Sequence, residues 1–189
     1  DDGAGVDATP GLDGAVDAAP VTDGGGGLDG GASSGCGRDP SGVATTLTVA
    51  GQSRTFVLAL PSSYDASRAY PLIFAWHGLG GTGALARTYF GLGSQAGNHA
   101  ILVYPDGLPQ PDHNHQSGWD LHPQGDDFAF FDAMVTHLTG ALCVDPERVF
   151  STGHSFGGFM SNSLGCYRGD TLRAIAPVAG GPPFHGACG

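Results

Sequence analysis

The sequence predicts an α/β fold, in which a mostly parallel sheet carries helices on both faces. Three observations lead to this class. Short apolar runs end at Gly or Pro rather than alternating with polar residues, helix-like stretches separate them, and a serine stands between glycines where a strand-like run meets a helix-like one. Strands buried on both faces have such continuous apolar runs, and strands that alternate with helices are typical of α/β proteins.

The chain divides into an acidic tail and a domain. Residues 1–35 are rich in Gly, Asp, Ala and Pro and contain no aromatic residue. Such a segment has too little apolar surface to offset the entropy lost on ordering. We therefore predict a disordered linker over 1–35 and a folded domain over 36–189. Much of the formal net charge of −11 lies in the first 40 residues, which hold eight aspartates and one arginine.

The strand-like segments follow one another along the domain. The runs VATTLTVA and RTFVLALP are rich in β-branched residues and are joined by GQS, which predicts an antiparallel hairpin. Four further short apolar runs are predicted to form the parallel part of the sheet. These runs are YPLIFAWHG, AILVYPDG, RVFSTGHS and RAIAPVAGG.

Helices are predicted between these strands. In DDFAFFDAMVTHLTGALC, the residues Phe128, Phe131 and Leu138 recur at helical spacing, and two aspartates stand at the start. Negative charge is favoured there by the helix dipole. The segment from Phe159 to Tyr167 is also helix-like, so a helix is expected on each side of the serine-bearing strand.

Ser155 is the candidate nucleophile because of its surroundings rather than its motif. The pattern Gly153-x-Ser155-x-Gly157 arises easily by chance in a chain with 34 glycines. Here a strand precedes it and a helix follows it, which is the arrangement of a nucleophile elbow. Gly153 and Gly157 would remove side chains that otherwise collide where strand and helix meet. The alternative is an ordinary strand-to-helix turn.

A second glycine-rich turn, HGLGG at 77–81, directly follows the predicted strand PLIFAW. Through Gly78 and Gly80, such a turn can aim backbone N–H groups at a substrate oxygen. We expect an oxyanion hole formed by the N–H groups of Leu79 and Phe156. The alternative is a plain loop.

Two histidines and a tryptophan stand close to these turns in the sequence. His77 and His154 lie inside the turns themselves, and we expect them to shape the site rather than to catalyse. Trp119, in the segment SGWD, either lines a substrate cleft or packs in the core.

Composition argues against three classes of function. All seven cations are arginines and they are scattered, so no nucleic-acid partner is expected. No apolar run approaches the roughly 18 residues of a membrane span, so no integral membrane segment is expected. The four cysteines show no CxxC spacing and no clustered histidines, so we predict no metal site and favour disulfides in an exported protein.

Five segments of the domain also carry a resemblance to a known family. They are YPLIFAWHGLGG, ILVYPDGL, GWD, LCVDPERVFSTGHSFGGFMSNSLGC and AIAPVAGG, within residues 36–188. In this order they resemble the secreted esterases of the feruloyl esterase and polyhydroxybutyrate depolymerase group of the α/β-hydrolase superfamily. The resemblance implies a serine esterase that acts outside the cell, often on ester-linked groups of plant cell-wall polysaccharide, with no metal or organic cofactor.

A serine nucleophile needs a histidine to take its proton and a carboxylate to orient that histidine. In this superfamily both follow the serine, and after Ser155 the chain offers only Asp170 and His185. Asp170 follows a helix that carries the chain roughly 18 Å away from Ser155, so it cannot orient a histidine there. The resemblance places the acid after one further strand and the histidine after another. We therefore expect a fragment that lacks its last strands and whose triad acid and histidine lie beyond Gly189.

Four cysteines allow three disulfide connectivities, and the sequence alone does not decide between them. Cys143 ends the helix before the serine-bearing strand, and Cys166 ends the helix after it. Both are expected at the edge of the sheet opposite Ser155, so we favour a Cys143–Cys166 bridge.

The leading hypothesis is a secreted serine esterase that hydrolyses feruloyl or acetyl esters of plant cell-wall polysaccharide through an acyl-enzyme on Ser155. One alternative keeps the mechanism but takes a polyhydroxyalkanoate or another short-chain ester as substrate. The other alternative is a hydrolase-like module that binds polysaccharide without catalysis.

Overall fold

The computed structural model describes residues 31–183 and residue 188. Within this part of the chain, one six-stranded sheet has the order β1-β2-β4-β3-β7-β8, and β5 and β6 form a separate hairpin. The strands are β1 (Thr46–Val49), β2 (Gln52–Ala59), β3 (Tyr70–Trp76), β4 (Ile101–Pro105), β5 (Leu108–Gln110), β6 (Gln116–Gly118), β7 (Val144–His154) and β8 (Ala174–Val178). The helices are α1 (Gly83–Phe90), α2 (Leu92–Ala96), α3 (Asp126–Ala141) and α4 (Phe156–Tyr167).

The parallel part of the sheet consists of the four strands that the sequence predicts. Strand β3 pairs in parallel with β4 and with β7, and β7 pairs in parallel with β8. Strands β1 and β2 add an antiparallel hairpin at the side of β4. The predicted α/β class is confirmed.

The turn of the first hairpin lies slightly earlier than the sequence suggests. Ala50 and Gly51 form it, with φ of 49° and 77°, and Val49 pairs directly with Gln52. Two successive residues with positive φ give a turn whose twist matches that of the flanking strands. Gln52 and Ser53 consequently belong to β2 rather than to the loop.

Helices cover both faces of the sheet. Side chains alternate between the two faces along each strand, so neighbouring residues pack against different helices. On β3, Phe74 and Trp76 belong to a core cluster shared with Phe131 of α3 and Met160 of α4. Ala75, between them, points to the opposite face, where a smaller cluster packs against α1 and α2. The central strands are thus buried from both sides.

A buried ion pair connects the first hairpin with helix α3. Arg54 of β2 contacts the carboxylate of Asp127, and both residues are at most 2% exposed. Burial raises the pKa of Asp127, and the adjacent Arg54 opposes this shift. The second carboxylate oxygen accepts a hydrogen bond from the N–H of Asp120 at 2.6 Å. Asp127 therefore fixes both a core strand and the loop that precedes α3.

The disulfides differ from the predicted Cys143–Cys166 bridge, which is wrong. Cys143 pairs with Cys36, and Cys166 pairs with Cys188. Cys143 is completely buried at the start of β7. The segment just before Cys36 lies there too, since the N–H of Gly35 donates to the carbonyl of Thr139 at 2.9 Å.

The pairing of Cys166 follows from the path of the chain after β8. That segment runs along helix α4: a Cβ on Gly158 would meet Gly180, and Asn162 donates a hydrogen bond to the carbonyl of Gly181 at 2.6 Å. Cys188, which follows this segment in the sequence, is bonded to Cys166 in the last turn of α4. Neither the segment before Cys36 nor the segment after β8 has a hydrophobic pattern that would reveal these contacts in the sequence.

Most of the predicted linker, residues 1–30, lies outside the described residues. Its last residues are described, and Ser33 contacts the domain on both sides of Cys143. The Ser33 hydroxyl donates to the carbonyl of Leu142 at 2.7 Å and accepts from the N–H of Val144 at 2.9 Å. None of the described helices is both long and apolar enough to cross a membrane.

Candidate active site

Ser155 lies on the tight turn between strand β7 and helix α4. Its backbone has φ 54° and ψ −118°, a conformation that residues other than glycine rarely adopt. The N–H of Ser155 donates to the carbonyl of Val178 at 2.9 Å, and its carbonyl accepts from Gly158 at 2.9 Å and Phe159 at 3.1 Å. The candidate nucleophile therefore occupies a strained turn that neighbouring backbone groups hold in place.

The two glycines that flank Ser155 allow three elements to meet. A Cβ on Gly153 would lie 2.1 Å from the carbonyl oxygen of Gly157, and one on Gly157 would lie 2.0 Å from the carbonyl oxygen of Trp76. Backbone cannot move away as a flexible side chain can. Strands β3 and β7 and helix α4 thus approach this closely only because both positions are glycine.

The HGLGG loop, residues 77–81, passes directly beside Ser155. A Cβ on Gly78 would lie 3.4 Å from the Cβ of Ser155. Gly80 has φ 75°, in the left-handed region that glycine adopts without steric cost. The predicted loop glycines therefore lie where the loop turns and where it contacts the serine.

The ring of His77 holds this loop and has a defined neutral tautomer. Its Nε2 accepts a hydrogen bond from the N–H of Gly107 at 2.9 Å, so Nε2 carries no proton. The proton is then on Nδ1, which donates to the carbonyl of Gly78 at 2.7 Å. Burial lowers the pKa of His77, although the Gly78 carbonyl and Asp106 oppose the shift. These contacts agree with a supporting role for His77.

The orientation of Leu79 follows from these contacts. The Gly78 carbonyl accepts from both the His77 ring and the N–H of Gly81. In the trans peptide that follows, the N–H of Leu79 points the opposite way. Phe156 is the first residue of α4, so its N–H has no partner within the helix. Within the described residues, neither N–H donates a hydrogen bond.

The end of the β5–β6 hairpin supports the HGLGG loop from outside. The N–H of Gly80 donates to the carbonyl of Ser117 at 2.7 Å, and the Ser117 hydroxyl donates to the carbonyl of Gly81 at 2.6 Å. The indole Nε1 of Trp119 donates to the carbonyl of His77 at 2.8 Å. Trp119 is 1% exposed and packs in the core, as the second of the two alternatives for SGWD expects, and it also contributes to the lining of a small pocket next to Phe156.

A pocket of about 430 Å³ lies between the loop and helix α1 and reaches the residue before Ser155. Tyr89 forms one wall, and its ring centroid lies 5.2 Å from that of His154. Leu85 and Tyr89 are 60% and 66% exposed, so they present apolar surface at the mouth of the pocket. Apart from His77 and His154, the described residues that line the pocket are uncharged: Gly78, Leu79, Gly81, Leu85, Ala86, Thr88, Tyr89 and Phe90.

A smaller pocket of about 240 Å³ reaches the residue after Ser155 and has a different character. Its polar side chains include Gln110, Asp112 and Asp120, and Phe156 lies beside them. In residues 31–183 and 188, no three His, Cys, Asp or Glu side chains are grouped so that they could hold a metal ion. The two sides of Ser155 thus offer an apolar and a polar surface.

The residues considered as triad partners are not brought to Ser155. Asp170 lies between α4 and the start of β8. Just before β8, the N–H of Arg173 donates a hydrogen bond to the carbonyl of Val149, which places this part of the chain beside the first half of β7. That is the end of the parallel sheet opposite Ser155, as the helix length predicts. His185 lies outside the described residues. No imidazole within the described residues hydrogen-bonds the Ser155 hydroxyl.

Residues 48–171 match the Esterase family model, and this range contains both the HGLGG loop and the turn at Ser155. The chain belongs to the esterase family. This esterase-family chain is similar to feruloyl esterase D of Neurospora crassa, with 38% identity over 165 residues that cover 78% of this chain and 53% of that protein. It is also 36% identical over 155 residues to feruloyl esterase C of Emericella nidulans, covering 79% of this chain and 54% of that protein.

The chain spans about half the length of these curated relatives. Among solved structures, the fold of this esterase-family chain is similar to that of the acetyl xylan esterase from Aspergillus awamori. The TM-score is 0.53 at 23% identity, over 65% of this chain and 45% of that chain. This likeness, together with the parallel sheet, confirms the predicted α/β-hydrolase architecture.

Three structural features of this esterase-family chain could not be predicted from sequence patterns. The contact between Trp119 and His77 joins residues 42 apart. The Arg54–Asp127 pair joins residues 73 apart. The exposed apolar side chains of α1 look like an ordinary amphipathic helix until the neighbouring loop is in place. Each depends on side-chain direction in the folded chain.

Proposed function

We propose that Ser155 is the nucleophile of a carboxylic ester hydrolase that acts on feruloyl or related esters of plant cell-wall polysaccharide. The observation that carries the proposal is the strained position of Ser155 beside two backbone N–H groups, of Leu79 and Phe156, that have no other described acceptor. The similarity to feruloyl esterases supports the class of ester.

The proposed reaction proceeds through an acyl-enzyme. The hydroxyl oxygen of Ser155 forms a bond to the ester carbonyl carbon as its proton passes to a base, and the carbonyl π electrons move onto oxygen. The N–H groups of Leu79 and Phe156 stabilise this oxyanion. When the tetrahedral species collapses, the bond to the alcohol breaks and the alcohol leaves with a proton. Water then attacks the acyl-enzyme in the same manner and releases the acid. No described residue is assigned as the base.

The proposal is tested by covalent trapping. The full natural protein is treated with a 4-nitrophenyl phosphonate ester, which phosphonylates an activated serine, and is then mapped by peptide mass spectrometry. We expect one equivalent of label on Ser155 and parallel loss of methyl ferulate hydrolysis, with no labelling after heat unfolding. Hydrolysis that continues with Ser155 unlabelled would contradict the assignment, and a folded protein with neither label nor hydrolysis would favour the non-catalytic binding module.

The apolar pocket suggests where the acyl group lies. It adjoins Ser155 through His154, and its open wall presents the ring of Tyr89. A volume of about 430 Å³ is within the usual range for sites that bind small organic groups. Stacking between aromatic rings contributes about 1 kcal/mol beyond area burial. The pocket therefore suits the aromatic ring of a hydroxycinnamoyl group better than it suits a charged acyl group.

Removing the Tyr89 ring is expected to affect aromatic esters selectively. In Tyr89→Ala, kcat/KM for methyl ferulate should fall by about tenfold, because the acyl ring loses a partner. The value for 4-nitrophenyl acetate should change by less than about twofold. Arg87→Ala, on the same helix but outside the lining of this pocket, is the matched control and should leave both values unchanged. Equal changes with both esters would contradict the placement, and release of hydroxybutyrate from polyhydroxybutyrate without release of ferulate would favour the short-chain alternative.

We also infer that the protein is exported from the cell. Four cysteines form two disulfides, Cys36–Cys143 and Cys166–Cys188. Disulfides persist in oxidising compartments and are rare in the reducing cytosol. A polysaccharide of the cell wall would also be met outside the cell.

A further inference from the structure

Trp119 lies beneath the HGLGG loop and contributes to the lining of the small pocket next to Phe156. Its side chain is 1% exposed and packs edge-on against Trp76, with ring centroids 4.9 Å apart. It also contacts the ring of His77, at 4.5 Å between centroids. Its indole N–H donates a hydrogen bond to the carbonyl of His77 at 2.8 Å.

That hydrogen bond fixes one of two consecutive peptides. The His77–Gly78 peptide is held at its carbonyl by Trp119. The Gly78–Leu79 peptide is held at its carbonyl by the His77 ring. Glycine at position 78 gives the backbone unusual freedom between these two peptides. Loss of the first contact would therefore free the first peptide to rotate about Gly78, and the direction of the Leu79 N–H would then depend only on the contacts of the Gly78 carbonyl with the His77 ring and the N–H of Gly81.

Trp119 is itself held on its other side by the buried ion pair. The next residue, Asp120, donates its N–H to Asp127 at 2.6 Å. Asp127 contacts Arg54, whose guanidinium also lies over the ring of Phe130, 4.2 Å from its centroid. A side chain anchored in this way offers its N–H in a fixed direction, which a solvent-exposed donor would not.

We propose that Trp119 is a positioning residue of the oxyanion hole: its indole N–H, through the His77 carbonyl, sets the direction of the Leu79 N–H. The proposal rests on the proposed function of Ser155. Trp119 exposes only 1% of its surface and directs its indole N–H to the His77 carbonyl, so its effect is expected on stabilisation of the oxyanion rather than on substrate binding. Because the oxyanion exists only along the reaction path, kcat should change while KM does not.

The test compares Trp119→Phe with Trp76→Phe in the full natural protein. Both tryptophans are buried in one cluster, and each indole donates a single hydrogen bond, that of Trp76 to the Ser151 hydroxyl at 3.0 Å. Trp119→Phe should lower kcat for 4-nitrophenyl acetate by about 10- to 100-fold with KM unchanged. Trp76→Phe should lower Tm by a similar amount and change kcat by less than about threefold. Equal losses of kcat, or none in Trp119→Phe, would overturn the proposal.

A second readout does not depend on hydrolysis. The amide resonance of Leu79 in ¹⁵N NMR spectra should shift in Trp119→Phe and remain in place in Trp76→Phe. Replacing Trp119 by 3-benzothienylalanine, which keeps the two-ring shape without the N–H, should cause the same shift if the smaller Phe impairs folding. An unmoved Leu79 resonance would overturn the proposal even in an active enzyme. A shifted resonance in a protein with no esterase activity would support the positioning role and contradict the proposed function instead.

Discussion

Replacing Ser155 with alanine is expected to lower kcat for methyl ferulate by about 10⁴-fold or more. The substitution removes the oxygen that is proposed to form the acyl-enzyme and leaves the Leu79 and Phe156 N–H groups in place. Folding should be unaffected or slightly improved, because the backbone contacts of Ser155 to Val178 and Gly158 do not involve its hydroxyl. Steady-state kinetics and thermal unfolding of the same preparation measure both effects.

Ser163→Ala is the matched control for this variant. Ser163 lies in helix α4, which follows Ser155, and its buried hydroxyl has no hydrogen-bond partner among the described residues. Its removal should change neither kcat nor KM by more than about twofold, and stability should be maintained or improved. If Ser155→Ala retained most of the activity while remaining folded, another residue would carry the reaction.

Replacing Asp127 with alanine is expected to destabilise the protein by about 3–5 kcal/mol. The substitution leaves the charge of Arg54 buried and unpaired, and two of its guanidinium nitrogens already have no hydrogen-bond partner among the described residues. It also removes the acceptor for the N–H of Asp120. Urea unfolding monitored by tryptophan fluorescence measures the change in the free energy of unfolding.

Asp132→Ala provides the comparison, because Asp132 pairs with Arg168 at 2.8 Å but is 46% exposed in its side chain. An exposed pair contributes at most about 1 kcal/mol, so this variant should unfold at nearly the parental urea concentration. The double variant Arg54→Met with Asp127→Leu should recover much of the stability lost in Asp127→Ala, since it leaves no buried charge. If Asp127→Ala and Asp132→Ala lowered the free energy of unfolding by similar amounts, burial of the ion pair would not be what determines the destabilisation.

The sequence predicts the parallel sheet and the turn at Ser155 because both depend on local patterns. Continuous apolar runs such as YPLIFAW indicate strands buried on two faces, and Gly153 and Gly157 indicate a close approach of backbone. The β5–β6 hairpin was not predicted, because its strands have three residues each and the sequences LPQ and QSG show no apolar alternation.

The disulfides and the support of the oxyanion loop depend on long-range geometry instead. The Cys143–Cys166 prediction used the positions of helix ends and could not include segments without a hydrophobic pattern. Such segments include Ser33 to Gly35, which lie beside Cys143, and residues 179–183, which lie along helix α4; Cys36 and Cys188 form the disulfides. Trp119 could equally have lined a cleft, because a sequence gives no direction for an indole N–H.

At position 155, the backbone conformation favours one residue for thermal stability and the proposed chemistry requires another. A glycine would adopt φ 54° at little cost, whereas a serine there must be held by its surroundings. Selection for stability alone would therefore favour glycine at 155, and laboratory evolution screened only for heat resistance would be expected to remove the proposed nucleophile. Under the proposed function, the hydroxyl of Ser155 is therefore the reason for a residue at 155 that the fold alone would not favour.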